Sequence, residues 1–164
     1  MLHKRLKITI LLQAILSISL FLCGALIATK SNVISSQFLG IVSRSHASNL
    51  WQHFFWITGN NFSVFFIIFW LNYFTYGIGG TLLALNSFRV LGAVSRYAIA
   101  INSYFSLAFI VIEVITLLFV NTNSTLLGKS KDKRNVILTL FIITICVIIG
   151  GILETLAIKT IRYG

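Results

Sequence analysis

The sequence predicts an all-α, polytopic integral membrane protein, and three observations predict it. Of 164 residues, 57% are hydrophobic and only 10% are charged, with a mean hydropathy of +0.95. A soluble domain carries about 25% charged residues to cover its surface, so this chain lacks the polar inventory for water and its solvent is largely lipid. Apolar runs of the length a helix needs to cross about 30 Å of hydrocarbon, about 20 residues, recur along the chain. The 13 Lys and Arg residues fall in short segments between those runs, as expected for anchors to anionic headgroups. The expectation is a single membrane domain, residues 1–164, with about four transmembrane helices and the lipid bilayer as its first partner. No basic, aromatic-interleaved surface remains outside the runs, which argues against nucleic acid as a partner despite a net charge of +10.

The first span is expected over residues 8–28, flanked by His3, Lys4, Arg5 and Lys7 before it and Lys30 after it. A secretory signal has a shorter apolar region, about 7–15 residues, and a small-x-small cleavage site. Leu26 and Ala28 make a poor cleavage pair, so an uncleaved span is favoured. Residues 30–61 are mixed. Ile34, Phe38, Ile41 and Val42 fall near helical spacing, which suggests an amphipathic segment on the interface with Trp51 and Trp56 as headgroup-level anchors. His46 and His53 are seven apart and could share a helix face, but without a neighbouring carboxylate or cysteine they make a weak metal signal.

The second span is expected over residues 62–85. It holds Asn72 and the cluster Gly77, Gly79, Gly80, where glycine lets another backbone approach or permits a local break. Residues 86–97 are polar enough to read as a connector. The third span covers residues 98–120, containing Asn102 and Glu113, and the fourth covers residues 136–158, containing Glu154. Cys23 and Cys146 sit alone in apolar runs and read as small buried residues, with neither a disulfide framework nor a zinc site.

Charge does not choose a topology for four plain spans. Lys4, Arg5, Lys7, Arg89, Arg96, Lys159 and Arg162 would lie on one face, and Lys30, Arg44, Lys129, Lys131, Lys133 and Arg134 on the other, seven against six. Folding residues 92–128 as short or re-entrant helices moves the 129–134 cluster across and makes the split nine to four, a better fit to the positive-inside pattern.

The chain's three acids are Glu113, Asp132 and Glu154, and two of them lie in apolar runs. An acid at the centre of a membrane helix costs about 2.5–3.5 kcal/mol on insertion scales, so it normally faces protein or water. Glu113 is seven residues from the end of its run at Val120, roughly 10 Å of helix rise, too deep to snorkel. Arg96, Asn102, Asn72 and tyrosines are its candidate partners. Glu154 is four residues from Ile158 and within reach of Lys159 or headgroups, so its replacement is expected to be milder. Three roles compete for the pair: hydrogen bonding between helices, a polar path or docking point in a transport assembly, and catalysis. The last lacks support, because no Gly-x-Ser-x-Gly and no His-Glu-x-x-His occurs. The sequence also has no Walker-type loop, so ATP-driven work needs a separate ATPase chain. No cofactor or metal is implied.

The order Asn60-Asn61, a glycine-bearing span with Gly77-x-Gly79, Asn86, then Leu91-Gly92-Ala93 resembles the stage II sporulation protein M family. There a pair of asparagines precedes the span, an Asn-Gly connector and Leu-Gly-Ala follow, a later helix carries His-Gly-x-x-Glu, and a Glu closes the last span. Glu113 and Glu154 align with those glutamates and Leu127-Gly128 with a following Leu-Gly, over about residues 55–158. Ser87 replaces the connector glycine, Phe109 and Ile110 stand where the family has His and Gly, and Ile115 where it often has Pro. The resemblance implies a multi-pass protein of the bacterial cell membrane. Small members resemble the membrane proteins found beside circular bacteriocin precursors. These act with an ATPase subunit, as partner of an ABC-type transporter, in peptide maturation, export or producer immunity. The implied partners are other membrane subunits, an ATPase chain and a hydrophobic peptide. A sporulation role at engulfment is the alternative within the family, and a stand-alone transporter or channel is the alternative outside it.

Overall fold

A computed structural model describes residues 2–27, 49–100, 104–130 and 132–163. They form five helices: α1 (Leu2–Ile27), α2 (Leu50–Thr75), α3 (Ile78–Ala100), α4 (Tyr104–Ser130) and α5 (Lys133–Tyr163). The described residues contain no strand, so the all-α class holds. Each helix contains a stretch long and apolar enough to cross a membrane, which makes five such helices rather than four. Large apolar side chains are exposed on every one, among them Leu11, Phe74, Ile78, Val111 and Ile137. An outer surface of that kind suits lipid.

The extra helix comes from a chain reversal inside the apolar stretch 62–85. Tyr76 takes the left-handed conformation (φ 55°) and Gly77 follows at φ 100°, so α2 ends there. The Gly77 N–H donates to Asn72 O at 2.9 Å, closing the helix in a Schellman-type turn. The Gly79 N–H, an orphan at the start of α3, donates to Thr75 Oγ1 at 2.8 Å. Within hydrocarbon such a reversal needs its backbone groups satisfied in this way. At the other end α2 begins at Leu50, so residues 50–61, read from sequence as interfacial, form its first three turns. Residues 30–48 of that expected segment lie outside the described residues. Trp51 and Trp56 are exposed near the start of α2.

The polar stretch 86–97 is helical, not a connector. Arg89 and Arg96 are exposed on α3, and Arg89 is level with Gly24 near the end of α1, within reach of the headgroup region for a long stem. Nor is there a re-entrant break around Glu113, since α4 is continuous over 27 residues. Cys23 is exposed on α1 rather than buried, Cys146 is half-buried, and both are free thiols.

Helix directions follow from the contacts. Gln13 meets Thr81, while Phe21 and Gly24 meet Gly92 and Arg89, so α1 runs parallel to α3. Asn61 meets Glu113 and Tyr73 meets Gly128, so α2 runs parallel to α4. The short links place α3 antiparallel to both α2 and α4, and α5 antiparallel to α4. Lys4, Arg5 and Lys7 therefore lie at the same end of the bundle as Lys129, Lys133 and Arg134. Helix α4 is central, touching all four others, whereas α1 packs mainly on α3. The core between them is built from Phe65, Ile68, Phe69, Phe88, Leu117 and Val120.

Asp132 caps α5. Its Oδ1 accepts from the N–H groups of Arg134 (3.1 Å) and Asn135 (3.4 Å), and its Oδ2 accepts from Asn135 Nδ2 at 2.6 Å. Asp132→Ala is expected to destabilise the protein by about 1 kcal/mol, the usual cost of a lost N-cap, read as a lower midpoint of unfolding in detergent. An unchanged midpoint would show that this end of α5 is frayed.

Candidate functional site: a carboxyl pair inside the bundle

Three helices bring one polar residue each to a common point. On α2 the inward stripe runs His53, Ile57, Asn61, Phe65, Ile68, Asn72, steps of three and four that keep one face toward the core. On α4 the stripe runs Ser106, Ile110, Glu113, Leu117, Val120 and Ser124. On α5 Ile143, Val147, Gly150 and Ala157 are buried, and Glu154 falls on the same face. Where these stripes cross, Asn61 Nδ2 donates to Glu113 Oε1 at 2.6 Å. The same carboxamide faces the Glu154 carboxyl, and Glu154 is close enough for its charge to act on Glu113. Gly151, one turn away on α5, lets Thr58 of α2 come close; a side chain there would run into the Thr58 hydroxyl.

Two carboxyls and one amide in a lipid-surrounded bundle can do three things chemically. They can hold or pass a proton, accept a cationic group, or hydrogen-bond a polar part of a substrate. Among the described residues no three His, Cys, Asp or Glu side chains gather.

A second polar cluster lies eight residues further along α4, about 12 Å of rise. Asn72 Nδ2 donates to Asn121 Oδ1 at 2.7 Å, and Thr81 Oγ1 donates to the same oxygen at 2.9 Å. Gln13 Nε2 donates to Thr81 Oγ1 at 2.8 Å and, more weakly, to Thr125 Oγ1 (3.3 Å) and Gly77 O (3.4 Å). Four helices are stapled by this network. Interhelical hydrogen bonds in membranes contribute about 0.6 kcal/mol each on average, so its worth lies in fixing register as much as in stability. Phe65, Phe69, Leu117 and Val120 are buried between the two clusters and keep them separate.

The sequence-named residues thus divide. Glu113 and Glu154 come together, and Glu154 faces Asn61 rather than Lys159. Asn72 is fully buried but pairs with Asn121, not Glu113. Asn86 is exposed and accepts from Arg89 Nη2 at 3.3 Å, away from both clusters. Arg96 is exposed, and Asn102 lies outside the described residues. Gly77 makes the turn. Gly92 is where α1 and α3 touch backbone to backbone. Gly79 lies nearest Thr75 and Leu71 of α2. Sequence reasoning starts the second span at residue 62 and leaves Asn61 in the preceding loop. Reading the stripe back through Ile57 and His53 would have placed it on the inner face. Gln13, Thr81, Asn121 and Thr125 carry no signal beyond being polar at helical spacing.

Comparison of the chain with protein families, with curated proteins and with solved structures returns no match.

Proposed function

We propose that this chain is a non-catalytic membrane subunit of a bacterial peptide export, maturation or immunity system, working with a separate ATPase chain on a hydrophobic peptide of the circular bacteriocin kind. The observation that carries the reading is the meeting of Asn61, Glu113 and Glu154 inside the bundle. Acids at that depth are costly and are retained where a charge or proton is used. The resemblance to the stage II sporulation protein M family supplies the kind of system, and the absence of a Walker-type loop supports an ATPase on another chain.

The test is to tag the chain in its native host, purify it in mild detergent and identify what accompanies it. An ATPase chain in stoichiometric amount, with loss of peptide export or tolerance on deletion, is the expected result. A deletion that blocks engulfment instead would move the protein to the sporulation role. The stand-alone channel reading is disfavoured by the apolar layer of Phe65, Phe69, Leu117 and Val120 between the two polar clusters. Ion flux from the purified chain alone in liposomes would overturn that judgement.

A further inference from the structure

Helices α4 and α5 enclose a groove of about 530 Å³ at the end of the bundle where they join. Its floor is apolar, formed by Phe119, Leu126, Leu127, Leu138 and Ile142. Its mouth is polar: Lys129 and Ser130 are exposed there, with Asn123 half-buried one step deeper. From residue 130 to residue 119 the groove follows α4 for about 16 Å, most of the length of an acyl chain in one leaflet.

Charge says what would occupy it. Among the described residues of the α4–α5 link and its flanks, Lys129, Lys133 and Arg134 stand beside one carboxylate, Asp132. That carboxylate is already engaged by two backbone N–H groups and the Asn135 amide in capping α5. Among the described residues none of the three cations has an ion-pair partner. A greasy slot opening to the bilayer with uncompensated positive charge at headgroup depth matches a molecule with an anionic head and an apolar tail. We propose that the α4–α5 groove binds one anionic phospholipid, its phosphate at Lys129 and Asn123 and one acyl chain lying between Leu126 and Leu138 toward Ile142.

The experiment uses the full chain in dodecyl maltoside, followed by thermal unfolding. Dioleoyl phosphatidylglycerol, dioleoyl phosphatidylcholine and sodium phosphate are titrated separately. Phosphatidylglycerol is expected to raise the midpoint, and the other two to leave it near its starting value. Lys129→Gln should raise the phosphatidylglycerol concentration at half-effect about fivefold, the factor expected for one basic residue at a headgroup. Leu138→Trp, which fills the groove from an exposed position, should reduce the shift, whereas Lys129→Arg and the distant Lys159→Gln should keep it. Each variant is compared with its own lipid-free midpoint, so a less stable variant still reports. An equal response to phosphatidylcholine or to phosphate alone would overturn the proposal. So would equal damage from Lys159→Gln, which would show diffuse electrostatics. A larger shift from an apolar peptide with a free carboxylate would make the groove a peptide site instead.

Discussion

Replacing Gly92 with leucine is expected to separate α1 from the rest of the bundle. Among the described side chains of α1 from Ile8 onward, the buried stripe is narrow, Gln13, Ser17 and Gly24, with Phe21 half-buried beside it. Small and polar residues in that pattern hold membrane helices together by close backbone approach, since burying apolar surface gains nothing against lipid. At Gly92 even a single added carbon would overlap the Phe21 carbonyl and lie 3.1 Å from the Ala25 nitrogen, and at Gly24 it would overlap the Arg89 carbonyl. Backbone cannot rotate aside as a flexible side chain does. Helix α1 must back away, and the Gln13 bonds to Thr81 and Thr125 go with it. Overpacking typically costs about 1–3 kcal/mol and here should reach or pass the upper end. Unfolding midpoints should fall in the order Gly92→Ala, Gly92→Val, Gly92→Leu. Gly59→Ala is the matched control, because nothing lies within 4 Å of its added carbon. That change should be neutral or stabilising by up to about 1 kcal/mol through helix propensity. A Gly92→Leu protein as stable as the parent would mean that α1 and α3 are further apart than described.

Glu113→Gln is expected to leave assembly intact and abolish most of the activity. Glutamine keeps the volume and the carbonyl oxygen that accepts from Asn61, so the α2–α4 contact survives. What disappears is the ionisable group. Peptide export or producer tolerance, measured in cells at matched protein level, should drop more than about tenfold, equivalent to over 1.4 kcal/mol. Glu154→Gln should be comparably severe, contrary to the milder effect its position near the end of its run suggests, because the two carboxyls share Asn61. Full activity in both variants would reduce the site to a helix-packing bond. Activity lost in Glu154→Gln alone would show that the acids work separately.

The all-helical membrane class was legible because composition and run length report the solvent directly. The helix count was not. Run length cannot show a two-residue reversal, and Tyr76-Gly77 sits inside a stretch that stays apolar on both sides. Here a left-handed tyrosine, backed by the Asn72 and Thr75 caps, overrides a continuous hydrophobic pattern. Arg89 and Arg96 concealed α3 for the opposite reason: whether a charge in a run is tolerated depends on how near it lies to the end of the bundle. In the candidate site, the two acids stood out by their cost in lipid. Their partner did not, because an asparagine announces itself as inward only once the start of its helix is known. The Asn72–Asn121 pairing depends on α2 and α4 running parallel, a tertiary fact.

The most direct measurement of the central claim, that Glu113 is held inside the bundle by Asn61, is a double-mutant cycle. Asn61→Leu, Glu113→Leu and the double variant would be unfolded reversibly in bicelles beside the parent. Each single change breaks the Asn61–Glu113 bond, and Asn61→Leu also takes the amide from Glu154, so each should destabilise; the double change loses the shared bond only once and should cost less than the sum by about 1 kcal/mol or more. Costs that add to within about 0.3 kcal/mol would mean the two side chains do not meet, and the intramembrane site would have no basis.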